Sequence, residues 1–177
     1  SRDYHFNKVK TFHHMMDERT QEEPRAWDLE GATHRAGFKI EELVEFVRAA
    51  SPSEEDFGQA LSQLHQALDK AADKVAQKTP AQQDLVGQVD ALIDTLYFTY
   101  GSFVLMGVDP ERIFDIVHQA NMGKIFPDGK AHFDPVTHKI LKPDDWEEKY
   151  APEPAIKKEL QRQLKAYERH KERNNTQ

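Results

Sequence analysis

The sequence predicts an all-α protein, and three observations carry that prediction. Glycine is scarce, at 8 of 177 residues. Prolines sit mostly where helices would begin or end. Apolar residues recur at three- and four-residue steps through long segments, the period of a helix that turns one face inward. Together these predict a bundle of about five or six helices joined by short connections.

Taken in order, "KIEELVEFV" (Lys39 to Val47) falls on the expected second helix, with three glutamates among its large apolar residues. Ser53 is placed to cap the next helix through Asp56, and Phe57, Leu61, Leu64, Leu68, Ala71 and Val75 give that helix one wet face. Thr79 and Pro80 predict a further start, with proline at the first helical position. "DLVGQVDALIDTLYFTYGSFVLMG", Asp84 to Gly107, is apolar nearly all round and so is expected to be central and buried. Asp109 and Pro110 repeat the proline start for a shorter helix to about Ala120, with Ile113, Phe114, Ile116 and Val117 inward and Gly123 as its stop. Residues 124–150 lose the period and carry Asp-Gly and Asp-Pro turn signals, which predicts an ordered loop or small hairpin. Ile156, Leu160, Leu164 and Tyr167 mark a last amphipathic helix, and the polar end "KERNNTQ" is expected to fray. The organisation expected is one domain over 1–177, with a core of about 3–150 and the last helix over about 152–173.

The bulk numbers narrow the function. Hydrophobic residues make up 38% of the chain, enough for a real core, and the net charge is −7 with a pI near 5.7. That balance argues against a partner that is nucleic acid or an anionic membrane, since both need clustered Lys and Arg. No apolar run approaches the roughly 20 residues of a membrane span. There are no cysteines, so disulfides, thiolate metal sites and a Cys nucleophile are excluded, and a reducing cytoplasmic location is expected. The opening has no signal-peptide pattern, and a Ser at position 1 suggests processing or a residue left by cloning.

Chemistry concentrates in five carboxylates. Residues three or four apart share a helix face, so Glu41 and Glu45, Glu42 and Glu45, and Asp90 and Asp94 converge in pairs on two otherwise apolar segments. Like charges at that spacing repel and require neutralising. A hard divalent cation with oxygen ligands does this, Mg²⁺ above all, with Mn²⁺ as a substitute. The alternative is a network of cationic side chains, for which Arg35, Lys39 and Lys124 are the candidates. Other chemistries lack their motifs. No phosphate-cradling glycine loop occurs, and no Glu-x-x-His string of a di-iron bundle, "DIVH" being the nearest approach. His13 and His14 read as surface residues, and at least two of Tyr97, Phe98 and Tyr100 as core.

Glu41-Glu42-x-x-Glu45, a helical spacer, paired acids running into "DTLYFTYGSF", then "VHQANMGK" and "DGK…LKPDDW", form an ordered set. That set resembles the all-α nucleoside triphosphate pyrophosphohydrolases, the superfamily of MazG, phosphoribosyl-ATP pyrophosphohydrolase and the dimeric dUTPases. The similarity spans roughly Phe38 to Trp146, and "VKTFHHMM" extends it. The resemblance implies a MazG-like helical bundle that hydrolyses a nucleoside triphosphate between its α and β phosphates, giving a monophosphate and pyrophosphate. It implies house-cleaning of a non-standard or deoxy substrate such as dUTP, or a phosphoribosyl-ATP-like substrate.

Carried over by position, Glu42, Glu45 and Asp94 are implied Mg²⁺ ligands, and Glu41 a ligand or the base that orients the attacking water. Asn121 and Lys124 match positions that contact the nucleotide, with Lys130 and Lys142 as further candidates from the following loop. Asn121 also reads as a helix-ending residue. The chain departs from the family pattern at Ala91, where Glu-x-x-Asp is expected; Asp90, four residues before Asp94, reaches the same face and is taken as its replacement. Assembly as a homodimer or homotetramer is implied as well. The competing reading is an inactive helical module that binds a nucleotide or a protein partner, with Ala91 as its support.

Overall fold

The computed structural model describes residues 1–17, 20–80 and 82–176. These form seven α-helices, one of them a single short turn, and no strand. The all-α expectation is met. Two compact units divide the chain, Glu23–Asp94 and the combination of Ser1–Glu22 with Thr95–Gln177.

In the first of these, α2 (Leu29–Ala50) starts on Asp28, whose Oδ1 accepts the Gly31 N–H at 2.7 Å. That bond satisfies one of the donors every helix start leaves unpaired. A short turn leads to α3 (Glu54–Ala76), where Ser53 Oγ accepts the Asp56 N–H at 3.1 Å, as the sequence predicts. Arg48 ties the two helices by pairing with Glu54 and by lying 4.7 Å over the Phe57 ring. Beyond Leu64 the stripe of α3 is bare, and Leu68 and Val75 are exposed.

The next helix, α4 (Leu85–Met106), departs from expectation twice. It does not begin at Pro80. Asp84 takes the capping role, its Oδ1 accepting the Gly87 N–H at 2.9 Å, because a side-chain acceptor satisfies the orphan donors that proline merely lacks. Gln88 fastens this start to the residue before α2: Trp27 N–H donates to Gln88 Oε1 at 2.9 Å, and Gln88 Nε2 donates to the Trp27 carbonyl at 3.1 Å. The helix is also not buried. Val86 is 80% exposed, Tyr97 and Phe98 77%, Leu105 91%, and Tyr100 is exposed with them, so the aromatics expected in the core lie outside it. The physical reason is a shortage of covering surface within one copy of the chain. Gly107, at φ +70°, ends α4 in a Schellman turn: its N–H reaches the Val104 carbonyl, and the Val108 N–H reaches the Phe103 carbonyl at 3.1 Å.

The other unit is better packed. Asp3 caps α1 (Tyr4–Met16), which lies on α5 (Glu111–Met122) through a 2.5 Å Lys8–Asp115 ion pair and a His5 ring stacked on Phe114 at 4.1 Å. His14 is exposed, as expected; His13 is half-buried, edge-on to Phe12. Pro110 falls one residue before α5, and Asp109 Oδ1 accepts the Glu111 N–H. Ile113, Phe114 and Ile116 are half-buried, whereas Val117 is exposed.

α7 (Glu153–Asn175) crosses α5 at a buried carboxylate, Glu159, which accepts from Arg162 at 2.5 and 2.9 Å and lies 3.6 Å from Arg112. Gln163 pairs with both backbone groups of Asp109. α7 is helical through Asn175, and of the end expected to fray, Gln177 lies outside the described residues. Residues 124–145 make a small hairpin-like turn with an antiparallel bridge between Phe133 and Ile140, and α6 (Trp146–Tyr150) follows. Among the described residues the buried apolar ones are Ala120 and Trp146, so the core of this unit sits where α6 meets the end of α5. Among the described residues no helix is long and apolar enough to cross a membrane.

Candidate functional site

The predicted site residues form two groups. Glu41, Glu42 and Glu45 are on α2 and Asp90 and Asp94 on the first half of α4, within one compact unit. Regular helix at both places makes their three- and four-residue spacings real neighbours on the helix surface. All five are exposed. Water therefore carries much of the charge that the sequence suggested would be buried. Among the described residues, no three histidine, aspartate or glutamate side chains stand close enough together to hold a metal ion. The donor set itself suits Mg²⁺ or Mn²⁺ in kind, being made only of hard carboxylate oxygens.

The cations named as alternative neutralisers are engaged differently. Lys39 Nζ donates to the Arg35 carbonyl at 3.4 Å, and Arg35 lies 5.7 Å from the Phe38 ring. Partial burial, and then the Arg35 guanidinium, hold the Lys39 ammonium below its usual pKa. Among the described residues no ion pair joins Arg35 or Lys39 to Glu41 or Glu45.

The second group gathers at the end of α5. Lys124 Nζ donates to Asn121 Oδ1 at 2.9 Å and stands 5.9 Å from the centre of the Trp146 ring; Lys142 Nζ stands 4.3 Å from the same ring. Trp146 is only 6% exposed, and its Nε1–H donates to the Ala120 carbonyl at 2.7 Å. Tyr150, on α6, lies so close over Gly123 that a Cβ there would stand 2.6 Å from its Cδ2. Gly123 has φ −66°, so close approach, not a left-handed turn, is what calls for glycine.

Lys130 is placed apart, in the Asp-Gly turn. Its N–H donates to Asp128 Oδ1 at 2.9 Å, and Asp128 also meets His132 Nε2 at 2.7 Å. The His132 hydrogen bond, then the Lys130 N–H, hold the Asp128 carboxyl below its ordinary pKa. His132 in turn stacks on Phe126 at 4.0 Å. Two of the four candidate substrate-binding residues, Lys124 and Lys142, thus converge on Trp146, with Asn121 joined to them through Lys124, and Trp146 is a residue that sequence reasoning did not single out. A signal was there: the chain has 2 tryptophans, and this one ends the polar string "LKPDDW".

Comparison with known proteins agrees with the helical architecture. A family profile described as phosphoribosyl-ATP pyrophosphohydrolase matches residues 9–121. A crystal structure of a candidate NTP pyrophosphohydrolase from Exiguobacterium sp. 255-15 is similar at 38% identity. The match covers 94% of this chain and 99% of that one, with a TM-score of 0.85. No curated protein matches.

Proposed function

We propose a reaction from one premise: this chain belongs to the phosphoribosyl-ATP pyrophosphohydrolase family and is a pyrophosphohydrolase. The substrate in our reading is a nucleoside triphosphate, non-standard or deoxy as dUTP is, or a phosphoribosyl-ATP-like nucleotide. Water adds to phosphorus at the α–β bridge, the bridging P–O bond breaks, and a monophosphate and pyrophosphate leave.

The observation that carries this reading is the acid pattern, Glu41, Glu42 and Glu45 on α2 with Asp90 and Asp94 on α4. Glu42, Glu45, Asp90 and Asp94 would hold Mg²⁺, or Mn²⁺ in its place. Such an ion supplies charge neutralisation to the phosphate oxygens, the main demand of phosphoryl transfer. Glu41 accepts the proton of the attacking water, and that proton passes to the departing phosphate. Asn121 donates to phosphate oxygens through its amide, and Lys124, Lys130 and Lys142 balance the charge of the polyphosphate.

A homodimer or homotetramer belongs to the same reading, supported by the bare apolar surface of α4. An apolar helix this exposed loses its main source of stability, since packing rather than propensity keeps most helices folded.

Pyrophosphate release, measured with Mg²⁺ over a panel of ribo-, deoxy- and modified nucleoside triphosphates and phosphoribosyl-ATP, tests the proposal. One preferred substrate is expected, with at least a hundredfold loss in Glu42→Ala and Asp94→Ala proteins that remain helical. Unchanged rates in those variants would remove the acids from the reaction.

A further inference from the structure

The indole of Trp146 has unusual neighbours. A buried tryptophan ordinarily rests against aliphatic or aromatic side chains, yet two ammonium groups approach this ring, Lys142 Nζ at 4.3 Å and Lys124 Nζ at 5.9 Å. Both distances fall within the range of cation–π attraction. Two ammonium groups at one ring concentrate positive charge around it. Among the described residues Lys142 forms no ion pair with a carboxylate. An anion beside Lys142 would supply its counter-charge. The end of a helix does not attract one by itself, because its carbonyl dipoles favour cations. Here the ammonium charges do the attracting.

The cluster is built rather than incidental. Trp146 Nε1–H takes up the Ala120 carbonyl at 2.7 Å, which fixes the ring at the end of α5. Asn121 Oδ1 directs Lys124 at 2.9 Å, and Tyr150 seats α6 against Gly123. Lysine is a flexible point charge with much rotamer freedom. A fixed ring that collects two of them removes that freedom before the ligand arrives.

We propose that Trp146 is the positioning residue of a polyphosphate-binding site, holding Lys124 and Lys142 for the phosphate tail of the nucleotide. Trp146 acts through the lysines and touches no phosphate itself. The inference rests on the pyrophosphohydrolase reading for the identity of the ligand, but its test does not require turnover.

The probe is inorganic triphosphate, added to the full chain carrying Trp27→Phe so that Trp146 is the sole indole. Trp27 meets Gln88 through its backbone, so this substitution spares that link. A saturable change in Trp146 emission is expected, weakened about tenfold by Lys142→Met and again by Lys124→Met, each loss corresponding to ~1.4 kcal/mol. Lys142→Met leaves the ring and its Ala120 bond in place, so it reads binding without risk to folding.

In turnover assays Trp146→Leu should raise KM for the nucleotide at least tenfold with kcat changed less than about twofold, the signature of lost ground-state binding. Trp146→Phe, which retains a ring, should recover part of that loss. Triphosphate binding without hydrolysis of any nucleotide would support the site while overturning the assigned reaction. Emission indifferent to triphosphate, or a folded Trp146→Leu protein with unchanged KM, would overturn the site.

Discussion

Phe98 and Leu105 are 77% and 91% exposed on α4 and lie seven residues apart, two turns along one stripe. If a second copy covers that stripe, replacing both with glutamate should disperse the assembly. Full burial of a Phe or Leu side chain is worth about 1.5–3 kcal/mol, so at these exposures the pair forfeits at least about 2.5 kcal/mol per copy. A symmetric interface counts each loss twice, about 5 kcal/mol, and every 1.4 kcal/mol is a factor of ten in Kd. Kd should therefore rise by at least about three powers of ten, before any cost of burying the new charges. Sedimentation equilibrium at micromolar concentration should give the parent protein a mass two or four times 20.5 kDa and the variant a mass of one chain. A parent protein that sediments as one chain with its helicity intact would refute the reasoning, as would a variant that stays associated.

Three further predictions concern the carboxylates and the α5 end. If Asp90 stands in for the family's glutamate at Ala91, Asp90→Ala should lose at least tenfold in kcat/KM, and Ala91→Glu added to it should restore most of the rate; no restoration would unseat Asp90 as a ligand. Glu159 has its pKa lowered from 4.5, chiefly by the Arg162 hydrogen bond. Its stabilisation is therefore complete above that value and lost as pH falls through the lower folded-state value. Thermal melts of Glu159→Gln should lie below the parent at neutral pH and converge with it under acid conditions, whereas parallel curves would count against the ion network. Gly123→Ala drives a methyl into Tyr150, an overpacking cost of about 1–3 kcal/mol. That lowers Tm by roughly 2–12 °C, and an unchanged Tm would mean that α6 shifts freely.

Local signals in the sequence translated well into structure, because caps and periods act within a few residues. Ser53 caps α3 through Asp56, and the turn chemistry of residues 124–145 yields a bridged hairpin-like loop. The acid spacings, too, were legible, since they depend only on α2 and α4 being helical. What failed was inference from hydrophobicity to burial. "LYFTYGSFVLM" reads as core, but burial depends on what packs against a segment, and one copy of the chain supplies little to cover it. Pro80 misled for a related reason: proline permits a helix start, while the Asp84 side chain satisfies one. The Trp146 cluster was only half legible. Lys124 and Lys142 are separated in sequence, and only the docking of α6 on α5 brings both to one ring.

The exposed acids and the exposed apolar surface belong to the same helix, and that has an energetic consequence. Asp90 and Asp94 repel one another on α4 while Leu92, Ile93 and Leu96 lie uncovered beside them. A cation bound at the acids relieves the repulsion, and a second copy laid over the leucines removes apolar area from water; each favours an ordered α4. Two events that stabilise the same element are thermodynamically coupled, and each must strengthen the other by the same factor. Mg²⁺ should then tighten association of the chains, and dilution should weaken Mg²⁺ binding. In the Asp94→Ala protein, association should persist but lose its dependence on Mg²⁺. A Mg²⁺ response that survives the substitution would place the ion elsewhere, and the acids on α4 would need another explanation.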